Sequence, residues 1–288
     1  MATAMITGCD YGIGFMNPPT IGGILAGQLE ADTIVAPGNH RRGHHSLSSW
    51  RFTRRSQSTH PSFRKALAMT TEAITDIIQF WHGPALDGPD AAFDRREWWY
   101  RGGTPVDDEI RARFGDLVER ARSGDLKDWG DTSEGALALV ILLDQFTRNL
   151  YRNTVDAYSG DALAFEVMAS AIRRNLDKPL HPVSRIWLYH PFHHSEDVTA
   201  QDTGITMLKA LKRQGPAPWR PYIQRSIKGW TRHRDIVARF GRFPHRNHVL
   251  GRPSSRKEVT FLAKEGESFG QGPARRKDPP KSEPIPRD

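Results

Sequence analysis

Between about residues 70 and 265, apolar positions recur with the 3.6-residue period of α-helices, and alternating strand-like runs are nearly absent. This pattern predicts eight helices. In chain order they are Thr71–Trp81, Val106–Arg122, a third from Asp131 or Thr132 to Tyr151, a fourth from Ser159 to Leu176, a fifth opened by Pro182, then Val198–Gln214 and Trp219–Phe240. A short eighth helix begins at SSRKEV, from Ser254, and is expected to pack Phe261 and Leu262 against the core. The stretch REWWYRGG (Arg96–Gly103) is predicted to be a loop. Short connections favour antiparallel neighbours, so the expected fold is an all-α, tetratricopeptide-like stack without a visible 34-residue repeat.

Residues typical of helix ends support several of these boundaries. In DTSE, Asp131 or Thr132 is expected to cap the third helix, with Glu134 reaching back to the free amides. Ser159 is expected to cap the fourth helix, and Pro182 suits the first position of the fifth. Gly241 is expected to end the seventh helix in the left-handed conformation.

The chain is predicted to contain one helical domain, residues 69–270, between two disordered segments. Residues 1–68 lack sustained periodicity, and no acidic residue occurs from Thr33 to Thr71. An Arg- and Ser-rich, acid-poor leader is typical of a transit peptide, but we favour a start codon assigned too early, with Met69 as the true start; a genuine basic arm is the third alternative. The Pro- and charge-rich residues 271–288 are expected to be a disordered tail.

The formal charge of +8 belongs mostly to these terminal segments. Residues 1–69 carry seven Lys/Arg against three Asp/Glu, residues 271–288 five against three, and residues 70–270 only 29 against 27. The central domain is therefore not expected to bind nucleic acid. No apolar run approaches the ~18 residues of a membrane span, and the single cysteine, Cys9, fits a reducing compartment. We expect a cytoplasmic protein without membrane contact, or an imported organellar one if residues 1–68 are genuine.

The first candidate polar cluster ends the most apolar helix, in LLDQFTRNLYR. Asp144 and Arg148 are spaced i,i+4, which on an exposed surface would be a weak ion pair. Their neighbours Gln145 and Asn149 continue the same apolar helix, so a partly buried polar network is the alternative. Buried polar groups need partners, which makes these four residues candidate ligand-binding groups.

The second cluster is YHPFHHSED, Tyr189–Asp197. Three histidines and two carboxylates suggest a metal, but the stretch lacks metal-ligand spacing and Pro191 interrupts the helix that would align the ligands. We therefore expect no metal here. Ser195 and Asp197 suit a helix N-cap, whereas His194 and Glu196 are candidate catalytic residues.

The third cluster is the corner RFGRFPHRN, Arg239–Asn247, after a helix whose inward face includes His233. Gly241 and Pro244 predict a stiff turn, with Phe243 extended and the two phenylalanines anchored in the core. The corner would then present Arg242, His245 and Asn247 to a pocket, with His245 a candidate catalytic base. His233 is expected to lie beside them, although an inward histidine is more often structural.

The order of FWHG, DQFTRNLYR, YHPFHHSED and RHRDIVARFGRFPHRNHVLGR along the chain resembles the domain of unknown function 924 family. The resemblance spans about residues 74–269 and implies an all-helical, tetratricopeptide-like fold without an established activity. By this resemblance, the matched residues are Asp144, Gln145, Arg148, Asn149, His194, Ser195, Glu196, Arg242, Pro244, His245, Arg246 and Asn247. His190 and His193 are treated as incidental.

Three functions follow from these residues. The first is binding of a small anionic molecule, because arginines suit carboxylate and phosphate groups. The second is a metal-independent hydrolase or transferase with His194 or His245 as general base and Glu196 or Asp144 orienting it. The third is a helical scaffold that binds a peptide. No phosphate loop or dinucleotide motif occurs, so no cofactor is expected.

Overall fold

A computed structural model describes residues 61–265, and every regular element in that range is helical. The α-helices are α1 Pro61–His82, α2 Pro89–Arg101, α3 Gly103–Arg122, α4 Ser133–Val140, α5 Thr147–Leu150, α6 Asp161–Arg173, α7 Pro182–Leu188, α8 His190–His194, α9 Val198–Gln214, α10 Arg220–Phe240 and α11 Arg256–Glu265. A π-helical segment, Ile141–Phe146, joins α4 to α5. Short 3₁₀ turns occupy Gly83–Leu86, Lys127–Asp131, Val155–Tyr158, Ala217–Trp219 and Pro244–Arg246.

The all-α prediction is confirmed, and each predicted helix has a counterpart. The bounds of α9 match the predicted ones, while α1 begins ten residues earlier than expected. The tetratricopeptide-like arrangement stays a prediction. Of the predicted leader, residues 1–60 lie outside the described range, as does the predicted tail, residues 271–288. In the described part of the chain, none of the helices is long and apolar enough to cross a membrane.

The prediction that REWWYRGG is a loop is wrong, because these residues form the C-terminal part of α2 and the start of α3. Only Ala92 and Trp99 of α2 are buried, so the helix lacks the apolar stripe that sequence periodicity detects. Its stability comes from tertiary contacts. Trp99 donates its indole N–H to the Trp81 carbonyl at 2.8 Å, and its ring packs 5.1 Å from Trp187. Aromatic contacts between α1, α2 and α7 therefore hold α2 in place.

The third predicted helix is interrupted by the π-helical segment. Thr132 caps its start as expected, accepting from the Gly135 amide at 3.1 Å, and α4 is buried along most of its length. The wider turn of the π-segment leaves the Leu143 carbonyl to accept a 2.6 Å hydrogen bond from the Thr147 hydroxyl. Single π-turns inside α-helices occur often at functional sites, and this one contains Asp144.

At the other helix N-termini, two of the predictions hold and one is wrong. Pro182 lies in the first turn of α7, and Asp197 caps α9 by accepting from the Thr199 amide at 2.8 Å. The expected cap of the fourth helix, Ser159, instead donates to the Asp156 carbonyl, and Gly160 occupies the N-cap position of α6 without a side-chain cap. The hydroxyl is used inside the preceding 3₁₀ turn and is not available to the helix.

The corner after α10 folds as the sequence predicts. Gly241 has φ 71°, and its amide donates to the Val237 carbonyl at 2.7 Å. Phe243 is extended and fully buried. It packs with Ile236 and Val237 of α10 and with Phe261 of α11. The corner is therefore fixed by an apolar cluster of its own.

Candidate functional site

A buried carboxylate–histidine pair lies where the π-helical segment meets α8. Both Asp144 oxygens lie close to His194 Nδ1, at 2.7 and 2.9 Å. The side chain of Asp144 is 2% exposed and that of His194 16%. A neutral His194 donates from Nδ1 to this carboxylate, so Nε2 is the ring nitrogen left for an incoming group. A general base oriented by an acid has this arrangement.

Arg148 joins this pair to a second carboxylate. Its guanidinium lies 3.2 Å from Asp144 and makes two hydrogen bonds, of 2.9 and 3.0 Å, to Asp161. It also donates to the Ala157 carbonyl at 2.9 Å. Burial opposes the charge on Arg148, but Asp161 and Asp144 outweigh it and raise its pKa. Burial raises the pKa of Asp144, and the positive charge of Arg148 opposes this rise.

A glycine brings Asp161 into reach of Arg148. A Cβ built on Gly160 would lie 2.1 Å from the Leu143 carbonyl oxygen of the π-helical segment, so only glycine permits this close approach. Because Gly160 directly precedes Asp161, the start of α6 packs against the π-segment. The pairing of Arg148 with Asp161 depends on that backbone contact.

A small polar cavity opens beside the carboxylate–histidine pair. It has a volume of about 40 Å³, which exceeds the space needed for one water molecule. We call it the Arg246 cavity. Its lining residues are Arg148, Tyr158, His194, His233, Phe243, His245 and Arg246.

Arg246 is a buried cavity residue whose guanidinium is only partly hydrogen bonded. Its side chain is 8% exposed; Nη2 donates to the His194 carbonyl at 2.9 Å, and Nη1 lies 3.9 Å from Asp161. Within residues 61–265, its Nε has no hydrogen-bond partner. The guanidinium lies over the rings of Phe243 and Tyr158, at 4.5 and 4.7 Å from their centroids. Burial, followed by repulsion from Arg148, lowers its pKa.

Histidines form a continuous group around the cavity. His193 lies 5.1 Å from His194 and 3.8 Å from His233 between ring centroids, and His190 lies 5.6 Å from His194. Burial is the main cause that lowers each pKa, to about 4 for His190, about 3 for His233 and about 2 for His245. The pKa values of His193 and His194 are also lowered well below 6.5 by burial. All five rings are therefore neutral at pH 7.

Of the candidate residues from the sequence, Arg148, His194, His233 and His245 line the cavity, and Asp144 lies directly behind His194. Glu196 does not orient His194. It forms an ion pair with Arg252 at 2.6 and 3.0 Å and accepts the Phe243 amide at 2.9 Å. Burial opposes the charge on Glu196, but the Arg252 hydrogen bonds prevail and its pKa is lowered. Glu196 thus holds the corner in place.

Two corner residues expected in the pocket face α11 instead. Arg242 forms hydrogen bonds of 2.8 and 3.0 Å to Glu258, and Asn247 donates to the same carboxylate at 3.2 Å. These contacts, led by the Arg242 hydrogen bond, lower the pKa of Glu258. Neither residue is among those lining the Arg246 cavity.

Gln145 and Asn149 belong to a different polar network. Gln145 donates to Asn149 at 2.8 Å, and Asn149 donates to Asp107 of α3 at 2.7 Å. Asp107 also pairs with Arg152. This network joins α5 to α3 on a side of the helix away from the cavity.

Sequence reasoning missed Tyr158, Asp161 and the role of Arg246. Arg246 lies in the predicted corner, but the sequence favoured Arg242 as the pocket residue. Both are arginines of the same turn, and the sequence pattern does not show which of them faces the cavity. Asp161 carries a usable signal, an acid in the first turn of a helix, but its pairing with Arg148 requires the tertiary fold. His190 and His193, treated as incidental, belong to the histidine group. In the part of the chain that the structure describes, no group of His, Cys, Asp or Glu is arranged to hold a metal ion.

These features define an all-helical protein with a buried carboxylate–histidine–arginine cluster beside a small cavity. A family model described as bacterial protein of unknown function, DUF924, matches residues 77–266. The chain belongs to this family. A solved structure of a protein of unknown function from Agrobacterium tumefaciens is 35% identical, with a TM-score of 0.57, and the match covers 68% of this chain and 99% of that one. A search of curated proteins found no match.

Proposed function

We propose that this protein binds a small oxyanion group, a carboxylate or a phosphate, in the Arg246 cavity. The observation that carries the proposal is the buried, incompletely paired guanidinium of Arg246 in the cavity wall. A buried cation without full hydrogen bonding is costly, and an oxyanion in the cavity would place compensating negative charge beside this guanidinium. Arg148 adds positive charge on the same wall, whereas its partners Asp144 and Asp161 are not lining residues.

The size of the cavity limits what enters it. About 40 Å³ admits a carboxylate or phosphate group and excludes a ring or a peptide chain. The grouping of Arg148, His194, His233 and His245 around one cavity favours a small ligand over a peptide-binding scaffold, which stays the third alternative. Neutral histidines also offer acceptor nitrogens, so a protonated oxyanion or an acid carrying a neighbouring hydroxyl group fits best.

Binding of orthophosphate and acetate, measured by isothermal titration calorimetry, tests this proposal. We expect wild-type protein to bind at least one of them. Arg246→Lys keeps the charge but loses the planar fork, so binding should weaken at least about tenfold, the effect of losing one hydrogen bond to a charged group. Arg242→Lys is the matched control because it changes an arginine of the same corner that pairs with Glu258 outside the cavity. Equal weakening in both variants, or no binding by wild type, would reject the proposal.

A second candidate function is general-base catalysis, which the Asp144–His194 contact favours. His194 Nε2 would remove a proton from water as its oxygen attacks an ester carbonyl or phosphoryl centre. The ester bond to the leaving group would then break, and the proton would pass to that group. Arg148 and Arg246 would stabilise the developing negative charge.

Turnover of a panel of carboxylate and phosphate esters tests the catalytic candidate. A positioned general base contributes about 10²–10⁴-fold, so His194→Ala should lose at least that lower factor. Asp144→Asn should lower kcat and alter its pH profile, since the asparagine amide changes the His194 tautomer. His245→Ala, which changes another residue of the cavity wall, should change KM more than kcat. If His194→Ala retains wild-type turnover, His194 is not the base.

A further inference from the structure

A second pocket lies on the other side of the histidine group, between α2, α7, α8 and α10. It has a volume of about 200 Å³, and we call it the α2–α10 pocket. His233 lines both this pocket and the Arg246 cavity, but most of the lining residues differ. Apart from His233, no residue that lines the Arg246 cavity also lines the α2–α10 pocket.

The walls of the α2–α10 pocket are aromatic. Trp187 stacks on His190 at 4.0 Å with an interplanar angle of 8°, and Trp230 stacks on His193 at 4.9 Å and 12°. Tyr222 of α10 adds a further buried ring. Flat, rigid walls of this kind favour a planar apolar ligand.

Two arginines of the pocket have no acidic partner among the residues that the structure describes. Arg96 lies over the Tyr100 ring at 5.0 Å, and Arg225 is exposed on α10. Within residues 61–265, neither forms an ion pair, and no Asp or Glu of that range lines the pocket. Because the nearby histidines are neutral, these two guanidinium groups give the pocket a positive field. That field favours an anionic ligand.

A glycine in the middle of α10 keeps the pocket open. Gly229 lies well inside the helix Arg220–Phe240, where glycine is less stable than alanine. A Cβ added to it would meet no atom within 4 Å, and Gly229 lines the pocket. Packing therefore does not require this glycine, and a larger side chain would project into the pocket space.

We infer that the α2–α10 pocket binds a planar aromatic carboxylate, with its ring between the aromatic walls and its carboxylate at Arg96 and Arg225. The pocket volume of about 200 Å³ is smaller than that of sites for drug-sized ligands, which is about 300–1,000 Å³. The ligand therefore has a single ring. The same ring does not fit the Arg246 cavity. Apart from His233, this site shares no lining residue with the proposed oxyanion site.

The experiment measures binding of 4-fluorobenzoate to the full chain by ¹⁹F NMR, with 4-fluorobenzamide as the neutral probe. We expect the carboxylate to bind at least about tenfold more tightly than the amide, since the charged contacts distinguish them. Gly229→Leu should abolish binding while the Tm stays equal to or above that of wild type, because leucine is the better helix former. Arg96→Gln should weaken binding of the carboxylate but not of the amide.

Gly115→Leu is the matched control. Gly115 also lies inside a helix, α3, with no atom within 4 Å of an added Cβ, but it is not a pocket residue. This variant should keep 4-fluorobenzoate binding. Arg246→Lys should also keep 4-fluorobenzoate binding, and Gly229→Leu should keep orthophosphate binding. These two results separate failure of this inference from failure of the proposed function. No binding by wild type, equal affinity for both probes, or unchanged binding in Gly229→Leu would each overturn the inference.

Discussion

Replacing Arg148 with methionine is expected to lower the free energy of unfolding by about 3–5 kcal/mol, the cost of removing one partner from a buried ion pair. Arg148 is 6% exposed and is the cation that contacts both Asp144 and Asp161 at hydrogen-bonding distance. Methionine fills a similar volume, so the loss comes mainly from the buried Asp144 and partly from Asp161, whose side chain is 29% exposed, each left without that partner. Urea denaturation at pH 7 measures it.

Arg101→Met provides the control for this experiment. Arg101 pairs with Glu97 one turn earlier in the same helix, with both side chains more than two-thirds exposed. Such a pair contributes about 0.3–0.5 kcal/mol, so this variant should unfold nearly like wild type. Adding Asp161→Asn to Arg148→Met should restore part of the lost stability, since it removes one of the unpaired charges. If Arg148→Met unfolds like Arg101→Met, the cluster is solvated and contributes no buried electrostatic energy.

The parts of the fold that follow from short-range rules were predictable from the sequence. The limits of α9, the Thr132 cap, Pro182 at the start of α7 and the left-handed Gly241 each depend on residues within a few positions of one another. The corner Arg239–Asn247 was predictable for the same reason. Its glycine and proline fix the backbone, and its phenylalanines supply the anchor.

The elements that were missed depend on contacts distant in sequence. Helix α2 has few buried residues of its own and is held by Trp81 and Trp187, which lie on other helices. The π-helical segment has no local signature in ILLDQF. The segment packs against Gly160, which lies 17 residues after Leu143 in the chain and approaches its carbonyl closely.

The candidate site also combines features that the sequence predicts with features that depend on contacts distant in sequence. The sequence identified the stretches that meet, because Asp144, Arg148, His194 and His245 stand in polar clusters beside apolar helices. It could not assign directions within the corner. Arg242 and Arg246 are four positions apart, yet the first pairs with Glu258 and the second lies over Tyr158 in the cavity wall. That choice depends on where α11 and the Val155–Tyr158 turn lie.

Acidification from pH 7 to pH 5 is expected to destabilise the protein by about 2 kcal/mol through His190 alone, at about 1.4 kcal/mol for each pH unit below 6.5, and by a further amount through His193. Both rings are more than nine-tenths buried, and burial lowers both pKa values, to about 4 for His190. The unfolded chain, with a histidine pKa of about 6.5, therefore binds more protons than the folded one in this window. Stability is fully present above pH 6.5 and falls as the pH drops towards the folded pKa. Asp144, whose pKa burial raises, acts in the opposite direction once it begins to protonate.

His193→Phe isolates one histidine in this pH dependence. Phenylalanine keeps the planar contact with Trp230 and removes the buried Nδ1, which has no hydrogen-bond partner among the described residues. Between pH 6.5 and pH 5, the unfolding free energy of the variant should therefore fall less steeply than that of wild type. His248→Gln changes an exposed histidine of the corner region and should leave the slope as in wild type. Urea denaturation across this range gives both slopes. Identical slopes for wild type and His193→Phe would mean that His193 takes up its proton in the folded state, which would require water or a carboxylate to reach its ring.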